Sequence, residues 1–191
     1  EISACLVGSE MCIRDRDRDG TLNVEVDYLH ECDKLRLIEG TAEALRILKQ
    51  EGYLLIVISN QSGVGRGYFT SAEVDKVNDY MNVLLKRQGA VLDAFYYCPH
   101  IEKDNCRCRK PKTGLYIKAA KDFDIDFKQS YMAGDKETDI LASFELGTDY
   151  ALLMSGHDIE QEILEKYKGH CYAKLLDFAE YVKRKNHGNS K

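Results

Sequence analysis

An α/β domain, a parallel sheet covered by helices on both faces, is what the amino-acid order predicts. Three observations lead there. Apolar runs of strand length alternate with amphipathic stretches along most of the 191 residues, the pattern of parallel strands joined by crossover helices. The run "YLLIVIS" (53–59) is apolar without alternation, as a strand buried on both faces requires. Short polar segments containing glycine or proline follow several of these runs. Open parallel sheets bind ligands in the crevice beyond the carboxyl ends of their strands.

Taken in order, "EGTAEALRILKQEGY" (39–53) has helical spacing and a stop at Gly52, and leads into the buried strand. "FTSAEVDKVNDYMNVLLKRQG" (69–89) places Thr70 and Glu73 in capping-box spacing and closes at Gly89. A short strand "AFYYC" (94–98) follows, then a helix over 112–123, a strand "SYMAG" (130–134), a helix "TDILASFELG" (138–147) and a strand "DYALLMS" (149–155). The remainder predicts a helix over 158–167, a short edge strand near Cys171 and a helix over 174–185, with a disordered tail at 186–191. Residues 17–185 read as one domain without repeats or a linker.

Composition narrows the partners. Apolar residues make up 44% and charged residues 31%, and the net charge of -5 argues against nucleic acid or an anionic membrane. No apolar run approaches the roughly 20 residues of a membrane span, and "SACLVG" is too short for a signal-peptide core. Seven cysteines are an odd count, and three crowd beside a histidine. That predicts a reducing cytoplasm and a metal site rather than a disulfide framework.

Four polar pieces fall at or beyond strand ends: Asp17-Arg18-Asp19-Gly20-Thr21, Ser59-Asn60-Gln61-Ser62-Gly63, Arg109-Lys110-Pro111, and Gly134-Asp135-Lys136 with Asp139. Each has a plainer reading alone. Alternating Arg and Asp over 14–19 resembles a solvated charge run, Asp-x-Asp-Gly a turn or calcium-type loop, Ser-Asn-Gln a helix entry, and Gly-Asp-Lys an ordinary turn. Their order and shared placement point instead to one site. Beside it, Cys98, His100, Cys106 and Cys108 offer three thiolates and an imidazole, a set that fits a closed tetrahedral Zn²⁺ site. With every ligand a side chain, such a site is structural; it would fold the loop and aim Arg109 and Lys110.

The segments "DRDGTLN", "YLHE", "SNQSGVGRG", "CPH…CRCRKPKTG" and "GDKETD" resemble the haloacid dehalogenase superfamily of phosphohydrolases. More narrowly they are similar to its capless, zinc-containing D-glycero-D-manno-heptose 1,7-bisphosphate 7-phosphatases and histidinol-phosphate phosphatases. The resemblance implies a three-layer Rossmann-like sheet with a zinc-binding loop and no large cap. It implies that Gly20 and Thr21 set the register, so that Asp17 is the nucleophile, Asp19 the general acid/base, and Asp15 a bystander. Mg²⁺ would be held by Asp17, the Asp19 carbonyl and Asp135, supported by Asp139. Ser59 and neighbouring amides would take the phosphoryl oxygens, and Lys110 would offset their charge. Glu25, Val26, Asp27 and Tyr28 would face the sugar, with Asn60, Gln61, Ser62, Arg109 and Lys136 also contacting substrate. Asp27 stands where the family usually has glycine. Arg109 would grip the remote phosphate with its planar fork.

The implied reaction is removal of the 7-phosphate from the heptose bisphosphate by a cytoplasmic monomer acting on a small phosphorylated sugar. Histidinol phosphate is the alternative substrate. A further alternative is a non-catalytic phosphate-binding scaffold, because the family places an apolar strand before the nucleophile. Here "MCIRDR" (11–16) stands there instead, and unpaired charges in a central strand are costly. "LVGSEMCIRDR" resembles translated sequencing-adapter sequence, so residues 1–16 are expected to be an atypical segment outside the domain.

Overall fold

In the computed structural model, the described residues are 12–14, for the backbone alone, and 18–156 and 158–188. Among the described residues, six parallel strands form one sheet in the order β3-β2-β1-β4-β5-β6. They are β1 (Cys12–Arg14), β2 (Leu54–Asn60), β3 (Ala94–Cys98), β4 (Tyr131–Gly134), β5 (Asp149–Leu153) and β6 (Cys171–Tyr172). The helices are α1 (Thr41–Gln50), α2 (Ser62–Gly65), α3 (Ser71–Arg87), α4 (Gly114–Phe123), α5 (Glu137–Leu146), α6 (Gln161–Lys166) and α7 (Leu175–Gly188).

Successive residues of a strand face opposite sides of a sheet, and β2 shows how the continuous apolar run is used. Leu55 and Val57 join one buried cluster with Leu45 and Leu48 of α1, Val77, Met81 and Leu85 of α3, and Phe178 and Val182 of α7. Ile56 and Ile58 join the other with Leu115, Tyr116 and Ala119 of α4, and with Met132 and Ala142. The three layers expected from the alternating pattern are therefore present. At α3 the capping box forms as its spacing predicts: the Glu73 amide donates to Thr70 Oγ1 at 3.3 Å and the Thr70 amide to Glu73 Oε2 at 2.7 Å.

The structure bears on both ends of the chain. Within the segment set apart before residue 17, the backbone of Cys12–Arg14 lies in the middle of the sheet. Ile13 pairs with Leu55 on one side and Tyr131 on the other. Strand pairing is a backbone property, and the gap between β2 and β4 supplies backbone partners on both sides. Residues 1–11 and 15–17 lie outside the described residues. At the other end α7 continues through Gly188, so residues 186–188 are helical rather than disordered. Asn186 Nδ2 donates to Glu51 Oε2 at 3.0 Å and His187 Nε2 lies 3.0 Å from Glu51 Oε1, which ties the last turn to the end of α1. Residues 189–191 lie outside the described residues.

Candidate active site

The loop after β1 and the carboxyl ends of β2 and β4 bring distant segments together. Asp17, the expected nucleophile, lies outside the described residues. The turn that follows it is closed by the Leu22 and Asn23 amides, each donating to the Arg18 carbonyl at 3.2 Å, and by the Gly20 amide donating to Asn23 O at 2.8 Å. Asp19 is gripped from two sides. Asn23 Nδ2 donates to its Oδ1 at 2.8 Å, and Arg18 NH2 donates to its Oδ2 at 3.1 Å.

Arg18 is wholly buried. Its guanidinium also donates to Leu29 O at 2.8 Å, to Asn78 Oδ1 at 3.4 Å and to Gln61 Oε1 at 3.5 Å. One cation thus links the acid/base candidate to the sugar-facing segment, to the residue after β2 and to α3. Neither Arg18 nor Asn78 was singled out from the sequence. The available signal was that Arg18 sits inside the Asp-Arg-Asp-Gly motif, while Asn78 carried none.

At the end of β2, Ser59 is buried and its hydroxyl oxygen accepts Gln61 Nε2 at 3.2 Å. Asn60 turns its amide onto the peptide of Lys110: Lys110 N donates to Oδ1 at 3.0 Å, and Nδ2 donates to Lys110 O at 3.3 Å. The Lys110 side chain runs inward. Its Nζ donates to Ile58 O at 2.9 Å and lies 2.7 Å from Asp139 Oδ1. The second oxygen of Asp139 accepts the Lys136 amide at 3.1 Å. Asp139 can sit there because residue 134 is glycine; a Cβ at Gly134 would lie 2.3 Å from Asp139 Oδ2.

Asp135 is buried as well, and Thr21 Oγ1 donates to its Oδ1 at 3.1 Å. Bare backbone encloses the other oxygen. A Cβ at Gly20, whose φ is 85°, or at Gly156 would lie 2.4 or 2.1 Å from Asp135 Oδ2. A carboxylate so cradled, next to the Asp-x-Asp loop, fits a hard divalent cation. A cavity of about 170 Å³ is lined by Asp19, by Glu25–Tyr28, by Asn60–Gly63 and by Lys136. Lys136 Nζ stands 3.7 Å from Glu25 Oε2 within it. Arg109 opens on a neighbouring cleft with Glu102, Asn105 and Cys106, and its NH1 donates to His100 O at 3.4 Å.

The four expected ligands after β3 do converge. The candidate ligand atoms of Cys98, His100, Cys106 and Cys108 all lie within 4.8 Å of one another, so the cluster can hold a metal ion. Burial pushes the Cys98 and Cys108 thiols up. At Cys106 burial is outweighed by hydrogen bonds from Cys108, from the Cys108 and Arg109 amides and from Cys98, which bring the thiol to about 7.

A family model described as haloacid dehalogenase-like hydrolase matches residues 11–147. The chain is 41% identical over 174 residues to the D-glycero-beta-D-manno-heptose-1,7-bisphosphate 7-phosphatase of Haemophilus ducreyi, covering 87% of this chain and 95% of that protein. It is 35% identical over 167 residues to the enzyme of the same name from Helicobacter pylori, covering 87% and 92%. Among solved structures it is similar to the D,D-heptose 1.7-bisphosphate phosphatase from B. bronchiseptica complexed with magnesium and phosphate. The TM-score is 0.81 at 29% identity, over 92% of this chain and 99% of that one.

Proposed function

The chain belongs to the haloacid dehalogenase-like hydrolases, and on that premise we propose that it removes the 7-phosphate of D-glycero-D-manno-heptose 1,7-bisphosphate. The observation that carries the reading is the buried Lys110–Asp139 pair and the buried Asp135, held by Thr21 of the same turn that presents Asp19 to the cavity. The relative from Haemophilus ducreyi, named for that substrate, adds the choice of ester.

In this reading Asp17 attacks phosphorus. A bond forms between its carboxylate oxygen and phosphorus as the bond to the sugar oxygen breaks, and Asp19 gives that oxygen its proton. Asp19 then takes a proton from water, which attacks the aspartyl phosphate, releases inorganic phosphate and restores Asp17. Arg18 and Asn23 hold the Asp19 carboxylate in line for both transfers. Ser59 and the amides after it take phosphoryl oxygens, while the Lys110 ammonium offsets charge spreading over them. Mg²⁺, held by Asp17, the Asp19 carbonyl and Asp135, would supply further positive charge against the phosphoryl group. The wall from Glu25 to Tyr28 faces the sugar with Asn60, Gln61, Ser62 and Lys136 opposite. Arg109 takes the remote phosphate from the adjoining cleft.

The cysteine–histidine cluster holds Zn²⁺ and is structural. Ligand separations of 3.1 Å between Cys98 and Cys108 sulfurs, 3.5 Å between Cys98 and Cys106, and 3.2 Å from His100 Nδ1 to Cys108 support this. A tetrahedron with Zn–S near 2.3 Å has edges of about 3.8 Å, so a small expansion admits the ion. Cys32 and Cys171, outside the cluster and in no disulfide, suit a reducing cytoplasm.

Phosphate release is the test. The heptose bisphosphate, histidinol phosphate and an aryl phosphate are compared with Mg²⁺ and with EDTA. Metal-dependent release from the heptose ester, lost in Asp17→Asn, is expected; preference for histidinol phosphate would overturn the substrate assignment.

A further inference from the structure

The cavity beside Asp19 is lined by two separate parts of the chain, Glu25–Tyr28 and Asn60–Gly63. Aromatic contacts join them. Tyr28 has φ 54°, a left-handed conformation that a bulky residue keeps only when its surroundings hold it there. Its ring stands edge-on to that of Tyr68, with centroids 4.9 Å apart and planes at 88°. Two residues further on, the His30 ring lies flat on Phe69 at 5.2 Å and 13°, while His30 Nδ1 approaches the Tyr28 carbonyl at 2.7 Å.

The other half of this clasp is anchored to the opposite wall. Phe69 sits on Gly63, where a Cβ would lie 2.1 Å from Phe69 Cε1. The Tyr68 amide donates to Gly63 O at 2.9 Å. Yet Tyr28 and Tyr68 are 42% and 58% exposed. Two such rings in contact bury little apolar surface, so stability of the core does not account for the pair.

We propose that Tyr68 is a positioning residue for the sugar-facing wall. By bracing Tyr28 it fixes the gap between Glu25–Tyr28 and Asn60–Gly63, and so selects a polyhydroxylated sugar phosphate over esters that do not fill the gap. The inference rests on the sugar-phosphate reading above. The edge-to-face contact carries the effect, so the ring matters and the hydroxyl does not.

Tyr68→Ala and Tyr68→Phe are compared with the unaltered enzyme, using heptose 1,7-bisphosphate, p-nitrophenyl phosphate, and hydrogen exchange of the substrate-free amides at 24–30. Tyr68→Ala raises KM for the bisphosphate by roughly 2- to 10-fold, the range of one aromatic pair, with kcat little changed. It leaves both constants for the aryl ester as they were and speeds exchange at 24–30. Tyr68→Phe restores all of these. Unchanged KM, unchanged exchange, or equal losses on both esters would each overturn the proposal. If the unaltered enzyme does not hydrolyse the bisphosphate, the substrate assignment falls alone. Exchange at 24–30 then decides the clasp: faster in Tyr68→Ala and normal in Tyr68→Phe upholds it, and anything else sinks it.

Discussion

Lys110 and Asp139 form an ion pair sealed from water: Nζ stands 2.7 Å from Oδ1, with the side chains 1% and 0% exposed. The pair joins three pieces of chain, because Lys110 also donates to Ile58 O in β2 and Asp139 also accepts the amide that opens α5. Removing Asp139 takes away the carboxylate that stands 2.7 Å from the buried ammonium. Asp139→Ala is therefore expected to lose about 3–5 kcal/mol of stability, read as the shift in a urea unfolding midpoint. The double variant Lys110→Met/Asp139→Asn should regain most of that loss, because no lone charge is buried, while hydrolysis stays abolished. Equal stability of single and double variants would contradict the ion-pair account.

Arg18 makes a different demand. Its fork reaches Asp19, Leu29, Gln61 and Asn78 at once, and an ammonium on a flexible stem cannot reproduce that geometry. Arg18→Lys keeps the charge and loosens Asp19. A misplacement of about 1 Å at a catalytic group costs on the order of 100-fold. kcat should drop by about that factor in steady-state assays, and a kcat within about twofold of the unaltered enzyme would remove Arg18 from the positioning role.

Stripping metal from the cysteine–histidine cluster should act at a distance. The loop of residues 99–110 has little regular structure beyond the turn at Glu102–Asp104, and structural zinc contributes directly to the folding of such segments. Chelation, or Cys106→Ser, is expected to lower the Tm and to speed proteolysis within 99–110. Activity should fall with it, because Lys110 is delivered by that loop. One zinc per chain by elemental analysis is the accompanying expectation.

Alkaline stability can be traced to Tyr53. Burial pushes its phenol from 10.0 up to about 12, and the residue is 2% exposed. In the unfolded chain the phenol loses its proton first. The raised folded value therefore contributes stability that is complete below about pH 10 and is lost as pH rises through about 12. A shift of that size corresponds to roughly 2–3 kcal/mol. Urea midpoints should fall across that window, and Tyr53→Phe should flatten the fall relative to the unaltered protein.

Much of this architecture was legible because its signals are local. The capping residues of α3 lie three positions apart, the β3 run needs only its own side chains, and the metal ligands crowd into one short segment. Boundaries moved by a few residues where distant partners intervened. Glu51 holds Asn186 and His187 across the surface and so extends α7 beyond Lys185. No pattern near residue 186 could announce that.

By itself the amino-acid order determined the class of fold, the layered alternation of strands and helices, and the residue types able to bind phosphate and metal. These follow from periodicity and composition, which act between neighbours in the chain. Only the tertiary structure decided what those residues do to one another. Arg18, in a stretch that resembles a solvated run, is buried among four acceptors, its neighbour Asp19 and the distant Leu29, Gln61 and Asn78. Asn60 lines the cavity yet spends its amide on Lys110, fifty positions away. Strand pairing, not side-chain polarity, put Cys12–Arg14 in the centre of the sheet. Such contacts depend on backbone segments that meet only after the sheet has closed.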